Sequence, residues 1–310
     1  MEELDILILG AGWTATFLIP LLEARKLSFA ATTGDGREVA GSPTIPFRFD
    51  PSSKDQSSIA SLPRARYILI TFPLVGNGPS RLLVDTYTAT HRQRSHAPSA
   101  ADDDEEVHPS RKFRFIQLGS TGIWQGQQGK VREDGTNSPW QTRQSPFTET
   151  DKRAIAETEL LSLGGCVLNL SGLWGGARDP RHWVDRVATT KEAVKSKKSL
   201  HMIHGVDVAR AIAAVVASGD EKWASAGRGQ RWMLTDGFVY DWWALFAGWA
   251  ELQSVDGEEA VPTKQAQWVY ELMVEEDVRA LPRSMEQLER CYDVREFWKT
   301  FGLAPLKGRI

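Results

Sequence analysis

"ILILGAGWTATFLIP", residues 6–20, stands almost at the start of a 310-residue chain. Four apolar residues run into Gly10-Ala11-Gly12, and Phe17, Leu18, Leu21 and Leu22 then recur at helical spacing. The stretch reads as strand, tight turn and helix. In Gly10-x-Gly12-x-x-Ala15 the first glycine makes the turn. The second lets backbone approach a phosphate, and the small third residue lets helix and strand pack closely. The helix start at Trp13 and Thr14 then offers amides and the positive end of its dipole to a dinucleotide pyrophosphate. A glycine turn with no ligand fits the same residues, so the rest of the chain has to decide.

Outward from this stretch, strands alternate with helices. The first strand is Leu4–Leu9, and Arg25 and Lys26 close the first helix, where cations suit the negative end of the dipole. Further strands are expected at 27–33, 44–49, 66–72, 113–118 and 166–170, and helices over 80–90 and 147–163. Such alternation gives a parallel sheet with right-handed crossovers. Later, helices are expected over 182–194, 206–217, 240–252, 265–278 and 286–301, with short strands at 201–204 and 231–234. The expected fold class is α/β: a Rossmann doubly wound parallel sheet over residues 1–175. A smaller, mostly helical C-terminal lobe takes up 176–310, with some segments returning to the core. Residues 91–112, "HRQRSHAPSAADDDEEVHPSRK", hold one large apolar residue, Val107, and read as a flexible insertion.

Composition narrows the function. Hydrophobic residues make up 41% and charged ones 25%, ordinary for a globular chain. A formal net charge of −3 argues against a nucleic-acid or anionic-membrane partner, since either wants a basic face. Two cysteines, Cys166 and Cys291, exclude a disulfide framework and suit a reducing compartment. No apolar run approaches the roughly 20 residues of a membrane span. A cytoplasmic protein acting on a small-molecule substrate is expected, with a second copy of the chain as a candidate partner in a homodimer.

In open α/β sheets ligands sit beyond the carboxyl ends of the strands. Cofactor contacts are therefore expected from Phe72 and Pro73 after the fourth strand, Ser120 and Thr121 after the fifth, and Gly172 and Leu173 after the sixth. A carboxylate closing the second strand favours the free ribose of NAD, or of S-adenosylmethionine. Here that strand closes with Thr32 and Thr33, and Asp35 lies beyond a glycine. Two hydroxyls and Arg37 suit a 2′-phosphate instead, which tilts the expected cofactor to NADP over NAD. Trp124 and Trp174 are candidate walls of a substrate pocket. His201-x-x-His204 has a metal-like spacing, but strand alternation turns the two rings opposite ways and no metal is expected.

The order of these pieces resembles the extended short-chain dehydrogenase/reductases of the NAD-dependent epimerase/dehydratase superfamily, in particular the atypical YeeZ-like members. The likeness is carried by "ILGAGWTA", "TTGDG", "FIQLGSTGIWQG", "VLNLSGLWGGARDP", "MIHGVDVARAIAAVV" and "RWMLTDGFVYDWWALFAGWA", and covers most of the chain. It implies a Rossmann core, a nicotinamide cofactor and a substrate lobe. It also puts Ser120 where the family has the hydroxyl that bonds the reacting oxygen. Capping the turn, or touching the cofactor ribose, fits Ser120 equally. His204 falls where the family often has a histidine, at the substrate pocket.

The family's proton donor is a tyrosine with a lysine four residues on. In "SPFTETDKRAIAETELL", aligning Glu157 with the family's helix glutamate puts Glu149 at the tyrosine position and Arg153 at the lysine position. None of the five tyrosines, at 67, 87, 240, 270 and 292, has a lysine four residues later. Arg153 can still hold the cofactor, and a desolvated Glu149 can act as acid or base. Capping of the helix start accounts for Glu149 as well. Two function classes follow: an NAD(P)-dependent oxidoreductase or epimerase on a small polar or sugar-like substrate, or a non-catalytic dinucleotide sensor.

Overall fold

Strand β1 (Leu4–Leu9) is buried on both faces: Ile6 and Ile8 enter one core and Leu7 and Leu9 the other. A strand with two apolar faces belongs inside a parallel sheet covered by helices on both sides. That is the architecture of this chain in a computed structural model, which describes residues 3–53, 55–91, 113–127, 138–250 and 261–310. The expected insertion at 91–112, apart from His91, lies outside the described residues.

The first half runs β1, α1 (Trp13–Ala24), β2 (Phe29–Thr33), β3 (Ile45–Pro46), α2 (Ser57–Ala60), β4 (Ala65–Ile70), α3 (Pro79–His91), β5 (Arg114–Ser120), β6 (Trp140–Gln141), α4 (Lys152–Ser162) and β7 (Cys166–Leu170). The second half runs β8 (Gly172–Trp174), α5 (Val184–Val187), α6 (Lys191–Lys195), β9 (Ser199–Leu200), β10 (Met202–His204), α7 (Gly205–Val216), α8 (Gly219–Lys222), β11 (Arg231–Leu234), β12 (Tyr240–Asp241) and α9 (Trp242–Gly248). It closes with α10 (Lys264–Glu275), α11 (Met285–Leu288), β13 (Cys291–Tyr292) and α12 (Arg295–Thr300).

Seven strands form one sheet in the order β3-β2-β1-β4-β5-β7-β11, every neighbouring pair parallel. The order reverses between β1 and β4, which puts the ligand crevice at their carboxyl ends. Helices α1 and α7 pack together on one face and α3 and α4 on the other. The C-terminal half contributes edge strand β11 to this sheet and builds a small core of its own around Trp242, Trp243, Phe246, Val269 and Leu272.

Several elements are shorter than sequence periodicity suggests, each for a local reason. The helix expected from 147 begins at Lys152, because the Asp151 side chain accepts the amides of Arg153 (2.8 Å) and Ala154 (3.1 Å) and caps it there. The single helix expected over 286–301 is two short helices. Between them Cys291 and Tyr292 pair with Trp140 and Gln141, and Glu289 takes a φ of 64°. In the 240–252 stretch, Tyr240 and Asp241 pair with β9 before Asp241 caps α9. The 182–194 stretch is broken by caps at Asp179 and Thr190. At 44–49 only Ile45 and Pro46 form strand, with the Phe47 amide donating to the Thr33 carbonyl at 2.8 Å as the last rung.

Buried Asp207 ties the C-terminal segment to α7: it accepts the amides of Leu306 and Lys307, both at 2.9 Å, and Arg210 at 2.8 Å. Beside it, Asp236 follows β11 and accepts the Tyr240 hydroxyl at 2.5 Å. Burial raises the Asp236 carboxyl to about 6 from an ordinary 3.8, against the pull of that hydrogen bond and of the Phe238 amide. A carboxyl whose folded pKa exceeds its unfolded one holds its proton more tightly in the fold. Its contribution is therefore full below about pH 4 and is lost as pH rises through about 6, on the order of 3 kcal/mol. Urea midpoints measured from pH 4 to 7 should fall less steeply in Asp236→Asn than in the parent chain. An identical slope would remove Asp236 as the source.

Candidate functional site

The turn after β1 is built around its first glycine. Gly10 has a φ of +88°, and a Cβ there would lie 2.8 Å from Thr71 Oγ1 and 3.1 Å from the Phe72 ring. Its amide donates to Thr32 Oγ1 (3.0 Å), the Ala11 amide donates to the Thr32 carbonyl (2.6 Å), and the Thr71 hydroxyl donates to the Gly10 carbonyl. Gly12 differs: a Cβ there would meet only the Gly10 carbonyl, at 4.0 Å. It is the N-cap of α1, and no side chain caps that helix. Ala15, fully buried, lets the helix sit on the sheet.

Gly12, Trp13 and Thr14 line a cleft of about 320 Å³ at the carboxyl ends of β1, β4, β5 and β7. Pro73, Ser120, Arg153 and Leu173 line it too, which gathers seven of the expected residues from five chain segments. Thr71, Ser171 and Arg178 also line it; the segment 171–178 past the sixth strand is where ligand contacts are expected, but none of these three was named as a contact. Ser171 is 7% exposed, and its hydroxyl has no hydrogen-bond partner among the described residues. The Arg178 guanidinium sits 4.6 Å over the Trp13 ring, whose Nε1 donates to the Gly175 carbonyl at 2.9 Å. Among the described residues no carboxylate lines the cleft, and neither Arg153 nor Arg178 has an ion-pair partner. Two guanidiniums, an uncapped helix start and an unpartnered buried hydroxyl together suit an anion.

Ser120 ends β5 at the cleft. Its Oγ accepts the Gly122 amide (3.1 Å), so the hydroxyl proton remains available to a ligand. Beneath it lies fully buried Glu157, which accepts Asn169 Nδ2 at 2.9 Å on both oxygens and faces Arg231 at 3.5 Å. Burial raises the Glu157 carboxyl above the usual range, while Asn169 and Arg231 oppose that shift. This network fixes the strand end: Asn169 Nδ2 also donates to the Ser120 carbonyl at 3.0 Å. It also requires Gly119, where a Cβ would come within 2.3 Å of Glu157 Oε1.

Other expected site residues sit elsewhere. Glu149 is exposed and lines a separate groove with Asn77 and Arg81, because it precedes the Asp151 cap instead of standing on α4 beside Arg153. Trp124 is fully buried and donates to the Ser145 carbonyl (3.1 Å), so it is core and not a pocket wall. Thr121 is buried, with its carbonyl taken by the Tyr292 hydroxyl (3.2 Å). Gly172 permits close pairing of β8 and β10, since a Cβ would strike Met202 Sδ at 2.4 Å. His204 caps α7 through Nδ1, which accepts the Val206 amide at 3.1 Å, and burial lowers its pKa. Its ring packs against Trp174, which lines a second cleft of about 450 Å³ together with Arg178 and Trp249.

At the second strand, Thr32 is fully buried and Thr33 is 4% exposed. Their hydroxyls serve the loop itself: Thr33 Oγ1 accepts the Gly36 amide (2.8 Å) and bonds Thr44 Oγ1 (2.8 Å). Arg37 is exposed and paired with Asp35 at 3.0 Å. Phe72 stacks on Phe49 with ring centroids 6.0 Å apart, at the mouth of the β1 turn. Among the described residues no tyrosine lines the cleft.

No family model matches the chain, and no curated protein matches it. Solved structures do. A functionally unknown conserved protein from Silicibacter pomeroyi aligns with a TM-score of 0.59 at 18% identity, over 97% of this chain and 93% of that one. MoeE5, solved with UDP-glucuronic acid and NAD, aligns with a TM-score of 0.57 at 13% identity, over 98% and 94%. The human epimerase family protein SDR39U1, solved with NADPH, aligns with a TM-score of 0.50 at 13% identity, over 97% and 95%. At these identities the likeness shows the fold alone, a Rossmann-like parallel α/β architecture shared across nearly the whole chain.

Proposed function

We propose that this chain binds NAD(P) in the cleft at the carboxyl ends of β1, β4, β5 and β7, and acts as an oxidoreductase or epimerase on a small polar or sugar-like substrate. The observation that carries the reading is the convergence there of Gly12, the uncapped start of α1, Ser120 and Arg153. Gly12, Trp13 and Thr14 would hold the pyrophosphate, with Arg178 beside them. A bound nicotinamide would supply hydride chemistry. Toward a substrate carbonyl, Ser120 donates a hydrogen bond, and the Arg153 guanidinium favours negative charge on that oxygen. A serine is a weak acid, so water completes the proton transfer and turnover is slow. Two neighbours crystallised with NAD and NADPH respectively support a nicotinamide cofactor of either kind. Among the described residues no helix is long and apolar enough to cross a membrane, and both cysteines are free and buried, which supports a cytoplasmic setting.

One feature favours a second reading, a dinucleotide sensor without chemistry. Among the described residues the cleft has neither a tyrosine nor a carboxylate, and Glu149 lies outside it. Calorimetric titration with NADH and NADPH tests the shared premise, with saturable binding expected below millimolar concentration. No binding of either would overturn both readings. A screen of carbonyl compounds and sugar nucleotides, followed by NAD(P)H absorbance and product mass, then separates enzyme from sensor.

A further inference from the structure

We infer that the second cleft, lined by Trp174 and Trp249, holds the body of the substrate, and that this body is a flat aromatic ring system carrying one carboxylate. As a substrate assignment this rests on the dinucleotide reading above and narrows it. Among the described residues the two clefts share one lining residue, Arg178. A ligand gripped there stands at the boundary with the cleft that holds Ser120. The Arg178 backbone is fixed by a tight hairpin. The Gly175 amide donates to the Arg178 carbonyl at 2.8 Å, and the Arg178 amide donates to the Gly175 carbonyl at 3.1 Å. Gly175 takes a φ of +104°, and a Cβ there would lie 2.2 Å from His204 Nε2, so the hairpin sits against the cap of α7. Trp13 Nε1 ties it to α1 through the Gly175 carbonyl.

The Arg178 guanidinium lies over the Trp13 ring, 4.6 Å from its centroid, and has no ion-pair partner among the described residues. A guanidinium seated this way can present its N–H edge to an oxyanion, and the fork matches a carboxylate. The other charged side chains of the second cleft satisfy each other. Asp179 accepts Arg181 Nε at 2.9 and 2.8 Å and the Arg181 amide at 3.0 Å. One free guanidinium therefore remains, with the single positive charge that a carboxylate balances. Trp174, Trp249, Pro180 and Ile310 supply apolar wall. Both tryptophans are half-buried, which holds their rings in place while leaving part of each to a ligand. Indole faces favour a flat aromatic partner. A sugar would give up water from several hydroxyls here and find few partners for them. The cleft, at about 450 Å³, has the size of a small-molecule site.

Calorimetry of the full chain with 2-naphthoate, 2-naphthalenemethanol and glucuronate, first without nucleotide and then with NADH, tests this. Naphthoate should bind saturably, and the alcohol and glucuronate at least about tenfold more weakly. Arg178→Ala should weaken naphthoate by about tenfold to a hundredfold, the scale of one charged hydrogen bond, and barely move the alcohol. Arg178→Lys should restore part of the loss. Trp249→Ala should weaken naphthoate and the alcohol alike, and Trp249→Phe should recover much of both. Arg178 is exposed, so unchanged melting of its variants is expected and confirms folding. Naphthoate should still bind when NADH is present. Absent naphthoate binding, a preference for glucuronate, or competition with NADH overturns the inference while the dinucleotide reading stands. So does an Arg178→Ala chain that loses NADH affinity alone, since the guanidinium would then belong to the pyrophosphate. Naphthoate binding in a chain that takes up neither NADH nor NADPH overturns the dinucleotide reading and the substrate role with it, and leaves an aryl-carboxylate site.

Discussion

Gly12→Val should abolish NAD(P) binding, by about a hundredfold or more, and leave the fold intact. The position is unusual among the site's glycines in needing no glycine for its own backbone. Its φ is −96°, outside the left-handed range that favours glycine, and a Cβ would meet nothing nearer than a carbonyl at 4.0 Å. The space that a valine would fill is the cleft in front of an uncapped helix start. There a branched side chain would hold a phosphate away from the amides that would bind it. Gly10 is the contrast. A side chain there would adopt a left-handed backbone and press on Thr71 at 2.8 Å, so Gly10→Ala should lower the melting temperature itself. Calorimetry and a thermal melt separate the two cases. Unchanged affinity in Gly12→Val would remove this turn from the cofactor site.

Ser120→Ala carries the next largest effect. If the chain is an enzyme, the serine is the hydroxyl that faces a substrate oxygen in the cleft, and its loss should reduce turnover by about a hundredfold, the scale of one lost stabilising donor. Cofactor affinity should barely move, because the phosphate loop is untouched. The Gly122 amide loses its acceptor, so a melt accompanies the kinetics. Turnover that ignores the substitution would sink the assignment of Ser120. Silence of the wild type across a broad carbonyl and sugar-nucleotide screen would favour the sensor.

The sheet was legible because its strands are buried on both faces and its punctuation is glycine and proline. Apolar runs such as residues 66–72 and 166–170 have few other uses, and Gly10 to Ala15 names the turn that begins the crevice. The later helices were less legible. Residues 286–301 have helical periodicity, yet β6 recruits Cys291 and Tyr292 into a pair that periodicity cannot see. Pairing is a property of the partner as much as of the segment.

The site divides along the same line. By itself the sequence determined that a phosphate-type turn meets a strand ending in Ser120, and that no tyrosine has a lysine four residues on. Those are statements about neighbours along the chain, where spacing fixes geometry. Only tertiary structure decided which side chains share one cleft. It brought in Arg178 and the unpartnered Ser171 from the segment after β7, kept Arg153, and set Glu149 outside, since the Asp151 cap starts the helix at Lys152, three residues past it. It spent the hydroxyls of Thr32 and Thr33 on the loop and laid Arg48, from the segment just past β3, over Gly34. The physical reason is that a hydroxyl or guanidinium has several partners within reach, and only packing determines which of them it meets first.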